Sequence, residues 1–169
     1  SLNAGSLWGR PFYILREAWN ILNAIAEGKI ESGDEKKLNA LKGETMAVIA
    51  LCQFDLTRCF GYPYTKDNGA SLGAPLIDHL VGTYENPSRS TVAQAYDFII
   101  ETLEEAVTLM SEEKNNGRMN KYAARALLAR VYLYHNDNRK AFDMADQLIK
   151  DVDASGSYAL YPHEKYVAA

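Results

Sequence analysis

Three tyrosines, Tyr62, Tyr64 and Tyr84, fall in one stretch, 61–89, together with Lys66, Asp67 and Asn68. Planar rings of this kind stack on the apolar face of a sugar, while carboxylate and amide groups bond its hydroxyls. Tyr62, Tyr64, Asn68 and Tyr84 are therefore the candidate ligand-binding residues, and a carbohydrate is the chemistry they suit. The same rings could instead tack the stretch onto neighbouring helices, and residue types alone leave both readings open.

Other constellations are weaker. Asp151, Asp153 and Ser155 followed by Gly156 copy the first half of a calcium loop, but Pro162 stands where the closing bidentate Glu belongs. A polar helix end followed by a glycine turn explains the same letters, and no metal site is expected. His79, His135 and His163 are isolated, so neither a zinc protease motif nor a di-iron bundle has its ligands. No nucleophile elbow, phosphate-binding loop or dinucleotide fingerprint occurs, and no catalytic residue or cofactor is assigned. Glu101, Glu104 and Glu105 read as the solvated face of a helix.

Composition narrows the function classes further. Lys plus Arg is 18 against 22 for Asp plus Glu, a net charge of −4 without a basic block, which argues against nucleic acid and anionic lipid as partners. Uninterrupted apolar runs are a few residues long, far short of the roughly 20 that span a bilayer. The opening residues, SLNAGSLWG, do not read as a secretory leader. Cys52 and Cys59 are separated by two helical turns, which places their Cα atoms about 10 Å apart, beyond the roughly 7 Å reach of a disulfide. Both are expected to be free, buried thiols.

The elements that must hold the tyrosines are helical. Apolar periodicity predicts five helices, over about 7–27, 34–60, 90–113, 120–135 and 138–152, with no convincing strand. Gly28 stops the first. The second starts at a capping box, Ser32 to Glu35, or at Asp34. Gly61 and Pro63 end it, and the long loop 61–89 follows. Thr91 and Gln94 form a capping box for the third, or Ser90 starts it one residue earlier. The fourth helix is rich in alanine and joins the fifth through the tight turn Asn136–Asn138. In the fifth, Ala141, Phe142, Ala145, Leu148, Ile149 and Val152 are expected to face inward. Small residues on one helix opposite Ala141 on the next are what a tetratricopeptide repeat uses to let its helices touch. The expected fold is all-α, a degenerate tetratricopeptide-like stack of antiparallel helices with one long loop. Leu128, Val131, Phe142, Ala145, Ile99, Leu103 and Val48 are expected in the core. On these patterns alone a peptide-binding tetratricopeptide adaptor is the alternative to a carbohydrate binder.

A series of short matches in order carries a resemblance. Trp8 followed by FYILREAWNIL, the stretch AVIALCQFDLTRCFGYPY, and Gly73-x-Pro75 come first. Then come Arg89-Ser90-Thr91-Val92 with Tyr96-Asp97-Phe98-Ile99-Ile100-Glu101, Arg118-x-Asn120-Lys121, the run Ala126 to Tyr134, and Lys140-Ala141. In this order and spacing the chain resembles the N-terminal half of the SusD/RagB family, the surface glycan-binding lipoproteins of Bacteroidetes. Ile49 departs from the pattern, standing where the family usually has Arg. The resemblance implies a single helical domain, 1–169, excised from a lipoprotein roughly three times as long. It implies a non-catalytic role in nutrient uptake: an oligosaccharide held at loops, and helices that act as scaffold and face a SusC-like TonB-dependent transporter. It also implies a surface-exposed place on the cell outer membrane, reached through a lipid anchor that this stretch lacks.

Overall fold

The computed structural model describes residues 4–30, 33–115, 117–159 and 162. Five helices follow one another as antiparallel neighbours: α1 (Ala4–Ala26), α2 (Glu35–Phe60), α3 (Val92–Leu109), α4 (Lys121–Tyr134) and α5 (Asn138–Ser155). Each pair of consecutive helices packs together, as the tetratricopeptide-like reading requires.

Local chemistry sets most boundaries. Gly28 takes the left-handed conformation (φ 68°) after α1, where a side chain would be strained. Asp34 caps α2, its carboxylate accepting from the Lys36 and Lys37 amides at 3.1 and 3.3 Å. Ser32, the other candidate cap, lies outside the described residues. At α3 the Thr91 hydroxyl accepts from the Gln94 amide and the Gln94 carboxamide accepts from the Thr91 amide, the reciprocal box expected there. Asn120 and Asp137 cap α4 and α5. Gly156, left-handed at φ 63°, stops α5, so Asp151, Asp153 and Ser155 are the last turns of a helix and not a calcium loop.

α2 is the axis of the molecule, and two apolar clusters meet along it. Met46, Ala47, Ala50 and Phe54 pack against Tyr96, Ile99 and Leu103 of α3 and Leu128 and Val131 of α4. On the opposite side Ile49, Cys52 and Leu56 join Leu15 and Ala18 of α1 with Ala74 and Ile77 from the loop. Ile49 thus fills an apolar position, wholly buried. Gly43 lets α3 approach, since a Cβ there would lie 2.8 Å from Met110 Cγ and 2.9 Å from the Ala106 carbonyl.

Several expectations need correction. α3 ends at Leu109, four residues before the predicted stop, because the buried Met110 turns extended (ψ 147°) and drives its side chain into the core beside Gly43. Two short strands, β1 (Leu72–Pro75) and β2 (Arg89–Thr91), pair antiparallel with an irregularity between the pairs Leu72–Thr91 and Pro75–Arg89, so the long loop is pinched shut at its waist. Phe142 and Ile149 are 65% and 62% exposed, and Ala145 and Val48 are half-buried. α5 has α4 on one side and no described element on the other, so its second apolar stripe has nothing to pack on. Cys52 is buried and Cys59 exposed, both as free thiols. Their shared stripe is covered in the middle of α2 and uncovered at its last turn.

Candidate functional site

Residues 61–91 form a platform beside α1, α2 and the start of α3, tied down at three places. At the first, the chain leaves α2 through Gly61 into a short 3-10 turn, Tyr64–Lys66. The half-buried Tyr64 ring lies edge-on to Tyr96 (5.7 Å between centroids) and tilted on His135 (4.3 Å). Gly69 (φ 74°) is required here, since a Cβ would come within 2.7 Å of both the Ala93 amide nitrogen and the Tyr64 ring. Asp67 accepts the Ser71 hydroxyl, and this bond, with backbone donors from Ser71 and Ala70, holds its carboxyl below the usual carboxylate range.

The second tie is buried. The Gln53 carboxamide is wholly inaccessible on α2; its Nε2 donates to the Pro75 carbonyl at 3.1 Å and its Oε1 accepts from the Ile77 amide at 3.3 Å. Trp19 Nε1 of α1 donates to the Ile77 carbonyl at 3.2 Å. Across the small sheet Arg89 donates to the Gly73 and Leu72 carbonyls at 2.7 and 2.8 Å, and the Ser90 hydroxyl donates to the Ala74 carbonyl at 3.1 Å. The third tie is at the loop's far end, where His79 stands between Asp78 (2.6 Å) and Glu85 (2.7 Å). Both carboxylates raise the His79 pKa, Asp78 first. The Gly82 amide, and then His79, lower that of Glu85.

The four predicted binding residues are therefore not in one environment. Tyr62 is 56% exposed, with Lys66 Nζ 3.0 Å from its ring centroid, so one face carries an ammonium group. Asn68 is exposed in the left-handed conformation (φ 56°). Tyr84 stands 97% in solvent at the far end of the loop. Tyr64 is packed against Tyr96 and His135 as described above. A cleft of about 290 Å³ separates α1 from the loop, lined by Phe12, Arg16, Pro75, Ile77, His79, Val81 and Pro87. Sequence reasoning passed over Gln53, Trp19 and the His79 pair. A carboxamide inside an apolar helical run was the available signal for Gln53; nothing local marked Glu85 as a partner of His79.

Among the described residues no group of three or more His, Cys, Asp or Glu is placed to hold a metal ion, and no helix is long and apolar enough to cross a membrane. His163 lies outside the described residues.

No curated protein matches the chain. A SusD-like family model, described as starch-binding and associating with the outer membrane, matches residues 3–133. A crystallised SusD superfamily protein from Bacteroides vulgatus is 96% identical over all of this chain, with a TM-score of 0.96. A second, from Bacteroides thetaiotaomicron, is 41% identical over 94% of it, with a TM-score of 0.89. A laminarin-binding SusD-like protein at 23% identity, TM-score 0.70 over 85% of the chain, shares the fold. The chain spans 38%, 34% and 29% of these three longer chains, respectively. With the family model covering most of its length and a near-identical solved relative covering all of it, this chain belongs to the SusD-like family.

Proposed function

We propose that this chain is the N-terminal helical portion, a single domain over 1–169, of a longer non-catalytic outer-membrane lipoprotein that binds a glycan at the cell surface. In this reading its helices form the scaffold that faces a SusC-like TonB-dependent transporter, and Tyr62, Tyr64, Asn68 and Tyr84 contribute to the glycan platform. The observation that carries it is the pair of exposed rings, Tyr62 and Tyr84, on a loop held by a buried carboxamide and a sheet. Burying one aromatic ring is worth something like 1.5–3 kcal/mol, so rings left in water on a braced loop favour a ligand or partner surface. Tyr64 acts from beneath, fixing the start of the loop. The family's description as starch-binding and the laminarin-binding relative point to the same ligand class.

A peptide-binding adaptor would present a groove lined by Lys, Arg and Asn, and one of about 480 Å³ lies between the start of α2 and the segment after α3, lined by Lys36, Lys37, Asn115, Arg118 and Asn120 among others. That groove is the observation that favours the adaptor as a second reading. Its Arg118 is already paired with Glu44 at 2.9 Å, and the exposed Tyr62 and Tyr84 on the loop favour the glycan reading over it.

The test is affinity electrophoresis of the longer polypeptide against a panel of polysaccharides that includes starch and laminarin. Tyr62→Ala and Tyr84→Ala should each weaken retention by about tenfold, the equivalent of roughly 1.4 kcal/mol. Lys66→Met, which frees a face of Tyr62, should preserve or strengthen it. Undiminished retention in both tyrosine variants would remove this loop from the site.

A further inference from the structure

His79 presents both ring nitrogens to carboxylates, Nδ1 at 2.6 Å from Asp78 Oδ1 and Nε2 at 2.7 Å from Glu85 Oε1. A neutral imidazole carries one N–H, so it can donate to one of these partners and must turn a lone pair on the other. Only the imidazolium satisfies both contacts at once. Glu85 is itself the brace of the next turn: its Oε2 accepts from the Gly82 amide at 3.0 Å, and its own amide donates to the Gly82 carbonyl at 3.1 Å. Tyr84 sits inside that turn, 97% exposed. Val81 packs on the apolar cluster of α1 and α2, but among the described residues every hydrogen bond made by 80–88 stays within 78–85, so this cluster is the polar tie between the turn and the rest of the loop.

We propose that His79 is a proton-operated clasp: its imidazolium joins Asp78 to Glu85 and holds the turn that carries Tyr84, and loss of one proton releases one side of the clasp and lets the turn move. The clasp stands whether or not Tyr84 meets a glycan. The charged groups facing it are few. Asp78 and Glu85 belong to the loop itself, and α1 contributes Arg16 to the same cleft, where its guanidinium is already paired with Glu17 at 3.0 Å. The remaining cleft walls, Phe12, Pro75, Ile77, Val81 and Pro87, carry no charge.

The direction of the pH response follows from the two partners. Asp78 and then Glu85 raise the His79 pKa above its ordinary value. Its contribution is therefore complete below that ordinary value and is lost as pH rises through the raised one. Glu85 is held low by the Gly82 amide and His79, so its contribution is present above the ordinary glutamate value and is lost as pH falls through the lowered one. The turn is closed between these two limits.

Nuclear magnetic resonance of the 169-residue chain tests the histidine limb without any ligand, across roughly pH 5 to 9, the range that spans the ordinary histidine value and reaches well above it. His79 ring signals, assigned by their loss in His79→Gln, should titrate above the ordinary histidine value. The Gly82 amide and the Tyr84 ring should shift with the same midpoint. In Glu85→Gln the His79 midpoint should fall toward the ordinary value, with the Gly82 and Tyr84 signals following it. Gly82 and Tyr84 signals that stay flat across the wild-type His79 midpoint would overturn the clasp. So would a His79 midpoint unmoved by Glu85→Gln.

Discussion

A carboxamide in the middle of an apolar helix costs free energy unless both of its ends are used, and Gln53 uses both on one short stretch of loop. That makes it the residue through which α2 fixes the height of the platform. Gln53→Leu keeps the volume close but leaves the Pro75 carbonyl and the Ile77 amide without their partner. A buried group stranded in this way costs about 1–3 kcal/mol. For a chain of this size each kcal/mol corresponds to a fall in Tm of roughly 2–4 °C. Thermal unfolding followed by circular dichroism measures it, and a Tm equal to wild type would mean that the loop is held by other ties. The two thiols show a similar dependence on surroundings: burial, then the nearby Asp55 charge, pushes Cys52 up to about 11, whereas Cys59 lies exposed at the helix end.

Among the elements, α3 depends most visibly on its first turn. Its capping box lies where β2 ends, so Thr91 is at once the last residue of a strand and the N-cap of a helix. Thr91→Ala removes the side-chain acceptor for the Gln94 amide and should cost about 1 kcal/mol. Urea unfolding should show it as a lower midpoint with an unchanged slope. Gln94→Ala removes the reciprocal acceptor for the Thr91 amide and should also lower the midpoint. Equal stability of Thr91→Ala and wild type would mean that the strand pairing, and not the cap, sets the start of α3. This boundary was legible in the sequence because Thr-x-x-Gln is a local signal. The strands were not: Leu72–Pro75 is four residues long and contains glycine and proline, and its pairing depends on a partner fourteen or more residues away.

At the scale of the whole molecule, the stack ends unevenly. α2 is covered on both sides, whereas α5 leaves Phe142 and Ile149 in water. Since these side chains lie mostly in water, Phe142→Ser with Ile149→Ser should change its unfolding free energy by no more than about 1 kcal/mol, while raising its solubility limit. Calorimetry and light scattering at increasing concentration check the two halves of that expectation, and a large drop in Tm would mean that the α5 face is packed in solution. The fold class, five helices, the caps of α2 and α3 and the loop between those two helices could be read from residue order, because helical period and capping are set within a few residues of chain. Leu128, Val131, Ile99 and Leu103 are buried as their period indicated. The same period says which apolar residues share a face but not whether anything covers that face, so Phe142 and Cys59 were placed inside and stand outside. Nor could local pattern bring Gln53 to Pro75, His79 to Glu85 or Tyr64 to His135. Those pairings arise only when helices and loop close on one another, and that closure decides which tyrosines brace the platform and which face the solvent.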